Sequence, residues 1–304
     1  MAKRSDSPLH GILPVDKPAG WSSHDVVAKV RRLSGQRRIG HTGTLDPAAT
    51  GLLVLCLGQA TRLVEYVTAH DKRYTGEITL GVRTATDDAE GDVVERRPVP
   101  ELGPERIEQL ARQFTGPLQQ RPPSFSAVSV GGKRAYAVAR RGGELELPAR
   151  AVVVHHLQLQ ERAPGVLAID VHCGPGTYIR SIARDIGEAL GCGAHLTALR
   201  RTHAGPFDPG GAYTLGEIET AAAAGQVGDL LLPADEGIAE MEAAILAPPG
   251  VAELRFGRGY QAASAGPAGD SVARIYSADG GFHGVASVSS SGLIRPLKVL
   301  NLPN

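Results

Sequence analysis

The chain has 304 residues, 42% hydrophobic and 21% charged, a composition that excludes a disordered protein and favours an ordinary folded one. Lysine plus arginine equals aspartate plus glutamate at 32 each, so a uniformly basic nucleic-acid binder is ruled out and phosphate contacts would need a local basic face. No apolar run reaches the ~20 residues of a bilayer span. The basic start MAKRSDSPLHGILPVDKPAG lacks the apolar centre of a secretory signal, so a cytoplasmic location without a membrane partner is expected.

In chain order, Leu13–Gly20 reads as an extended piece ending in turn residues. Ser22 or Ser23 can cap a helix through about Leu33, with Val26, Val27, Val30 and Leu33 on one face and Gly35 as its stop. Arg37 to Gly51 shows no periodicity and reads as a loop, followed by a buried strand at Leu52–Leu57 and a helix at Gln59–Ala69. Tyr74–Leu80 alternates as a strand should, residues 87–92 form a polar loop, and Glu105–Phe114 is helical. From about 119 to 150 the chain is rich in Pro, Gly and Arg, which suggests a projecting, partly helical insertion between sheet strands. Strands follow at Ala151–Leu159 and Val166–Cys173, then a Gly174-Pro-Gly176 turn into a helix at Thr177–Ala189.

Beyond Asp235 the composition turns Gly- and Ser-rich. Ala247-Pro-Pro-Gly250 reads as the end of a linker, and strands are expected at Val272–Tyr276, Gly284–Val288 and Leu293–Leu300. The expected division is therefore 1–245 for a main domain and 246–304 for a small all-β module packed on it. Cys56, Cys173 and Cys192 include no C-x-x-C pair, so they read as buried thiols, without a metal site or disulfide framework. Two basic stretches, Lys29 to Arg38 and Lys133 to Arg141, are either phosphate-binding or simply solvated.

The densest candidate for chemistry is Gly40-His-Thr-Gly-Thr-Leu-Asp-Pro-Ala-Ala-Thr-Gly51. It matches neither a P-loop nor a dinucleotide fingerprint. His41, Gly43 and Asp46 lie in it, and its glycines allow close backbone approach to a ligand. Asp46 equally suits the cap of a short helix begun by Pro47. Arg180 falls in the first turn of its helix, where the macrodipole disfavours a cation by ~0.3–1 kcal/mol. It needs a counter-charge such as Asp46, or else it faces solvent. Tyr74 follows Asp71-Lys72-Arg73 and is either a base-stacking ring or strand packing.

Four ordered blocks, GILPVDKPAGWSSHDVV, RIGHTGTLDPAATGLLVLCLGQATR, DKRYTGEITLG and HCGPGTYIRSIARDIGEALGCGAHLTALRR, resemble the bacterial tRNA pseudouridine-55 synthases of the TruB family. The resemblance spans about Gly11 to Arg201, and the tail resembles loosely the PUA-type RNA-binding module. It implies an α+β fold with a mixed, largely antiparallel central sheet flanked by helices, and a PUA-like C-terminal module. It implies isomerisation of uridine 55 in the T loop of tRNA, with no cofactor and no metal. By position, Asp46 matches the catalytic aspartate and Arg180 its ion-pair partner. Tyr74 matches the ring that stacks on the base, Leu199 an apolar pocket residue, and Tyr178 the neighbour of Arg180. Lys17 matches a supporting lysine, His41 a histidine holding the loop with the base out, and Gly43 sits in the same loop. The partner is then the T-stem and loop, met in part by the insertion, which would be mobile alone and ordered on RNA; the enzyme is expected to be a monomer. The competing readings are a tRNA-binding or folding protein without chemistry and a hydrolase of a nucleoside glycosidic bond.

Overall fold

A computed structural model describes residues 9–126, 129–130, 133–134, 138, 143, 145, 147–262 and 270–302. The chain opens with β1 (Gly11–Lys17) and enters α1 (Ser23–Ser34) through a reciprocal cap. Ser22 Oγ accepts from the Asp25 N–H at 3.1 Å, and Asp25 Oδ2 accepts from the Ser22 N–H at 3.0 Å. Gly35 closes the helix at φ +69°, a conformation that favours glycine. Then follow β2 (Ile39–His41), β3 (Thr50–Leu57), α2 (Val64–Thr68), β4 (Lys72–Leu80), β5 (Val82–Thr84), β6 (Val93–Arg96), α3 (Pro104–Gln113) and β7 (Gly116–Gln120). Two two-residue strands, β8 (Ser129–Val130) and β9 (Lys133–Arg134), precede β10 (Arg150–Ala163), β11 (Val166–Cys173), α4 (Ile179–Ala189) and β12 (Ala194–Ala204).

Seven of these strands lie in the order β1-β3-β12-β4-β11-β10-β7, with β2 added beside β3. Only the β3–β12 pair in this sheet is parallel, so the sheet is mixed and largely antiparallel as expected. Strand alternation then decides the faces. Tyr74, Ile78 and Leu80 of β4, with Leu167, Ile169 and Val171 of β11, join one buried core with Val26 and Val30 of α1, Leu110 of α3, and Ile182 and Ile186 of α4. The opposite face carries Thr75, Glu77, Gln158, Gln160 and Asp170, and borders a groove of about 640 Å³ that reaches Ala48 and Leu199.

Several elements differ from the sequence reading. Residues 39–41 of the expected loop form β2, too short to display alternation. The expected helix at Gln59–Ala69 begins as a 3₁₀ segment, Gly58–Leu63, before α2. Its three-residue turn places Ala60 and Leu63 on one side, and both are fully buried. Strand β12 was hidden because register shifts at Leu196/Ala198 and Arg201/His203 break its alternation. The expected linker Ala247–Gly250 instead leads into α6 (Pro248–Arg255), whose prolines occupy the first turn, where no helical N–H is lost.

Between β12 and α6 lie α5 (Leu215–Ala224) and β13 (Ala243–Leu246), and the chain ends with β14 (Tyr260–Gln261), β15 (Ser271–Ser277), β16 (Phe282–Val288) and β17 (Leu293–Val299). The last three sit where the sequence places them. The second sheet, β13-β15-β16-β17-β14, thus starts at Ala243, and β13 crosses the 245/246 boundary. With α6 packed on it, this unit is not all-β. The insertion leaves the sheet at β7 and returns at β10, its two neighbours, through Gln120↔Arg150. Most of 127–146, including Arg140 and Arg141, lies outside the described residues.

The two sheets share a core. Val285 and Leu300 of the small unit pack with Ile12, Leu52, Val54 and Leu63 of the large one. Arg62 Nη1 also donates to the Val299 carbonyl at 2.6 Å. Leu300→Ala is therefore expected to cost ~2–5 kcal/mol. Urea unfolding followed by Trp21, the single tryptophan and a residue of the large unit, should shift with it. A shift confined to far-UV circular dichroism would mean that the units unfold separately.

Candidate active site

The parallel junction of β3 and β12 sets the position of the loop that precedes β3. Gly51 lies opposite Arg201 with φ +95°, and a Cβ there would collide with the Arg201 backbone. Arg201 itself is 2% exposed and ties the loop down from inside: Nε donates to Leu52 O at 2.6 Å and Nη2 to Gly43 O at 3.1 Å. Lys17, fully buried at the end of β1, holds the other side of the loop. Its Nζ donates to Trp21 O at 2.6 Å, and to Pro18 O and Pro47 O at 3.1 Å. Burial draws the Lys17 amine down to about 8, although Asp46 pulls it the other way. Lys72 is buried beside Gly43 and is likewise brought to about 8, chiefly by desolvation.

Asp46 is held between these anchors. No helix starts at Pro47, so Asp46 is not a helix cap. Its carboxylate meets Arg180, which projects from the first turn of α4 and is 5% exposed. Arg180 Nη2 donates to Asp46 Oδ1 at 3.0 Å; Nε lies 2.9 Å from Oδ2 but outside hydrogen-bond alignment. The solvent-facing alternative for Arg180 is thereby removed. Its remaining donors are spent on Thr86 O at 2.9 Å and Phe125 O at 3.0 Å, and Nη1 lies 3.4 Å from Asp88 Oδ2. A buried cation at a helix N-terminus is unfavourable on two counts, desolvation and dipole. Two carboxylates and two carbonyls answer both.

The electrostatics of Asp46 follow. Burial raises its carboxyl above the ordinary range, Arg180 opposes that, and Asp88 adds to it. About a third of the side chain still meets solvent, so the group is reachable from outside. It is a partly desolvated, accessible carboxylate with a fixed counter-ion, suited to act as a nucleophile or a base.

Around it, Tyr74 is 7% exposed and belongs to the helix-side core, so strand packing is part of its role. Burial raises its phenol, opposed by the neighbouring Arg201. Leu199, on β12 opposite Gly76, is half-buried at the edge of the sheet groove. His41 lies at the end of β2, edge-on to His24 with centroids 5.7 Å apart. Its Nδ1 is buried without a hydrogen-bond partner, and burial lowers its pKa. Tyr178 caps α4 with its backbone: its N–H donates to Gln120 Oε1 at 2.8 Å and its carbonyl accepts from Gln120 Nε2 at 3.0 Å. Its ring is stacked under Arg150, 4.7 Å away, at the return of the insertion.

Asp88, Arg201, Lys72 and Gln120 were not singled out from sequence. A signal existed for the first. Arg180 and Arg184 are one turn apart on α4, and Arg184 Nη1 reaches Asp87 Oδ2 at 3.0 Å, so two arginines face two adjacent acids. Asp87 adopts φ +60°, the left-handed region, with its carbonyl accepting from Leu196 N–H at 3.0 Å. Of the first basic stretch, Lys29 is paired with Glu219 and Arg31 donates to Ile39 O, while Arg32, Arg37 and Arg38 are exposed.

The mixed sheet flanked by helices is the fold of the pseudouridine synthases. Two solved structures superpose on nearly the whole chain. One is an H/ACA ribonucleoprotein bound to a substrate RNA containing 2′-deoxyuridine, with a TM-score of 0.72 at 21% identity over 96% of this chain and 86% of that one. The other is a Cbf5-Nop10-Gar1 complex, with a TM-score of 0.71 at 25% identity over 93% and 80%. The N-terminal domain of TruB family pseudouridylate synthases matches residues 31–179, and the C-terminal domain of tRNA pseudouridylate synthase B matches 180–239. Among relatives, the tRNA pseudouridine synthase B of Xylella fastidiosa is 44% identical over 99% of both chains. That of Synechococcus sp. WH7803 is 53% identical over 68% of this chain and 69% of its own. The chain belongs to the TruB family of pseudouridylate synthases.

Since Asp88 pushes the Asp46 carboxyl upward, Asp88→Asn is expected to lower the Asp46 pKa. A ¹³C-carboxyl titration by NMR reads this directly. An unchanged or raised value would mean that Asp88 acts on Arg180 alone.

Proposed function

We propose that the protein isomerises uridine 55 in the T loop of tRNA to pseudouridine, with Asp46 as its catalytic residue. The observation that carries this is the partly exposed Asp46 carboxylate, fixed by buried Arg180 on a loop anchored by Lys17 and Arg201. Family membership, the names of the relatives and the four sequence blocks support the substrate. The reaction breaks the C1′–N1 bond, joins C1′ to C5, and releases the C5 proton to water while N1 takes one up. Nothing is oxidised, reduced or hydrolysed. A carboxylate at the sugar and base is the group this requires, whether it attacks carbon or first removes a proton.

The reacting base must leave its stack, at a cost of a few kcal/mol. Tyr74 and Leu199 would receive it beside Asp46, and His41, with its unpartnered Nδ1, would hold the loop against the displaced nucleotide. Tyr178 and Gly43 act through backbone: one starts the helix of Arg180, the other anchors Arg201. The insertion and the C-terminal unit would supply contacts to the T-stem, and the enzyme would act as a cytoplasmic monomer. No helix among the described residues is long and apolar enough to cross a membrane.

With tRNA tritiated at uridine C5, native protein should release tritium to water without free uracil. Asp46→Asn should bind tRNA and lose release by a factor on the order of 10⁴ or more. Its stability should fall by only ~1 kcal/mol, because Arg180 keeps Asp88 and two carbonyls. Free uracil would indicate a hydrolase, and binding without release by native protein a non-catalytic RNA-binding role.

A further inference from the structure

At the end of the sheet where β4 begins, Asp71, His155 and His172 come together from three chain segments. Asp71 Oδ2 lies 3.1 Å from His155 Nε2 and 3.6 Å from His172 Nε2, and the three ligand atoms lie within 4.8 Å of one another. The two imidazoles are 4.9 Å apart between centroids and tilted by 48°. Nothing proposed for the reaction uses this cluster.

We propose that Asp71, His155 and His172 form a site for a divalent transition metal of the zinc type, with water completing the coordination. Zinc bound to imidazole nitrogen and carboxylate oxygen at ~2.0–2.1 Å implies ligand-to-ligand edges of about 3.3 Å in a tetrahedron. Two of the three edges here already bracket that value. Two imidazoles and one carboxylate are a common donor set for such ions. The position of His155 is itself built. The β10–β11 register shifts between Val154 and His156, leaving His155 as the extra residue of a bulge that re-aims its side chain toward Asp71. Strand β7 pairs with β10 only as far as Val154, so no main-sheet neighbour covers that edge. Asp71 is fixed by its backbone, whose carbonyl accepts from the Gly205 N–H at 3.0 Å. The ligands must bind as neutral imidazoles. Arg73, opposite His172 in the β4–β11 register, and His156 are the nearby positive or titratable groups that oppose a cation. The three cysteines are buried and do not compete.

A bound ion would clip the start of β4, which carries Tyr74, to the end of β11, from which Gly174–Thr177 leads to Arg180. It would stiffen the frame behind the site without touching Asp46.

The test is titration of the untagged, chelator-treated full chain with zinc chloride by calorimetry, alongside melting temperature. Native protein should bind one zinc ion with micromolar affinity and melt at a higher temperature with zinc than without. His155→Ala and His172→Ala should each weaken binding at least tenfold and abolish the melting shift, whereas His156→Ala should retain both. No zinc binding by native protein would overturn the proposal, leaving a cluster without an ion. So would binding that survives the His155→Ala, His172→Ala double variant.

Discussion

Arg180 is the constraint on which the site depends. A guanidinium cannot shed its charge at neutral pH, and this one is 5% exposed at the positive end of a helix. It is tolerable only because Asp46, Asp88, Thr86 O and Phe125 O surround it. Those four acceptors come from three separate loops, so placing one cation fixes the loop before β3, the turn after β5 and the start of the insertion. The geometry around Asp46 and the packing of the polar centre are one problem.

The anchoring of Asp46 is done largely by backbone carbonyls. Lys17 and Arg201 donate to Pro18, Trp21, Pro47, Leu52 and Gly43, none of which depends on side-chain identity for its acceptor. A loop rich in Gly and Thr can be held rigid this way while leaving one carboxylate partly open to a ligand. Arg180 and Lys17 oppose, in part, the desolvation that raises the Asp46 carboxyl.

Much of this was legible from residues. The cap at Ser22, the stop at Gly35 and the alternation of Tyr74–Leu80 rest on local chemistry that the neighbours do not override. The position of Arg180 in a first helical turn already demanded a counter-charge, and the glycine-rich loop supplied the candidate. What stayed hidden depends on long-range packing. Strand β12 lies at the middle of the sheet, yet its two bulges erase the period that would reveal it. Arg201 reads as one of two adjacent arginines, and only the parallel β3–β12 junction turns it inward. Asp88 lies in a run that looks solvated because its partner is 92 positions away in sequence.

In this arrangement Arg180 sets the charge of Asp46. The most direct test is the pH dependence of single-turnover pseudouridine formation at saturating enzyme, for native protein and Arg180→Gln. Removing the guanidinium takes away the main influence lowering the Asp46 pKa, so the acid limb of the variant should move to higher pH and its plateau should fall. An acid limb that stays in place would contradict the account and leave Arg180 a packing role alone.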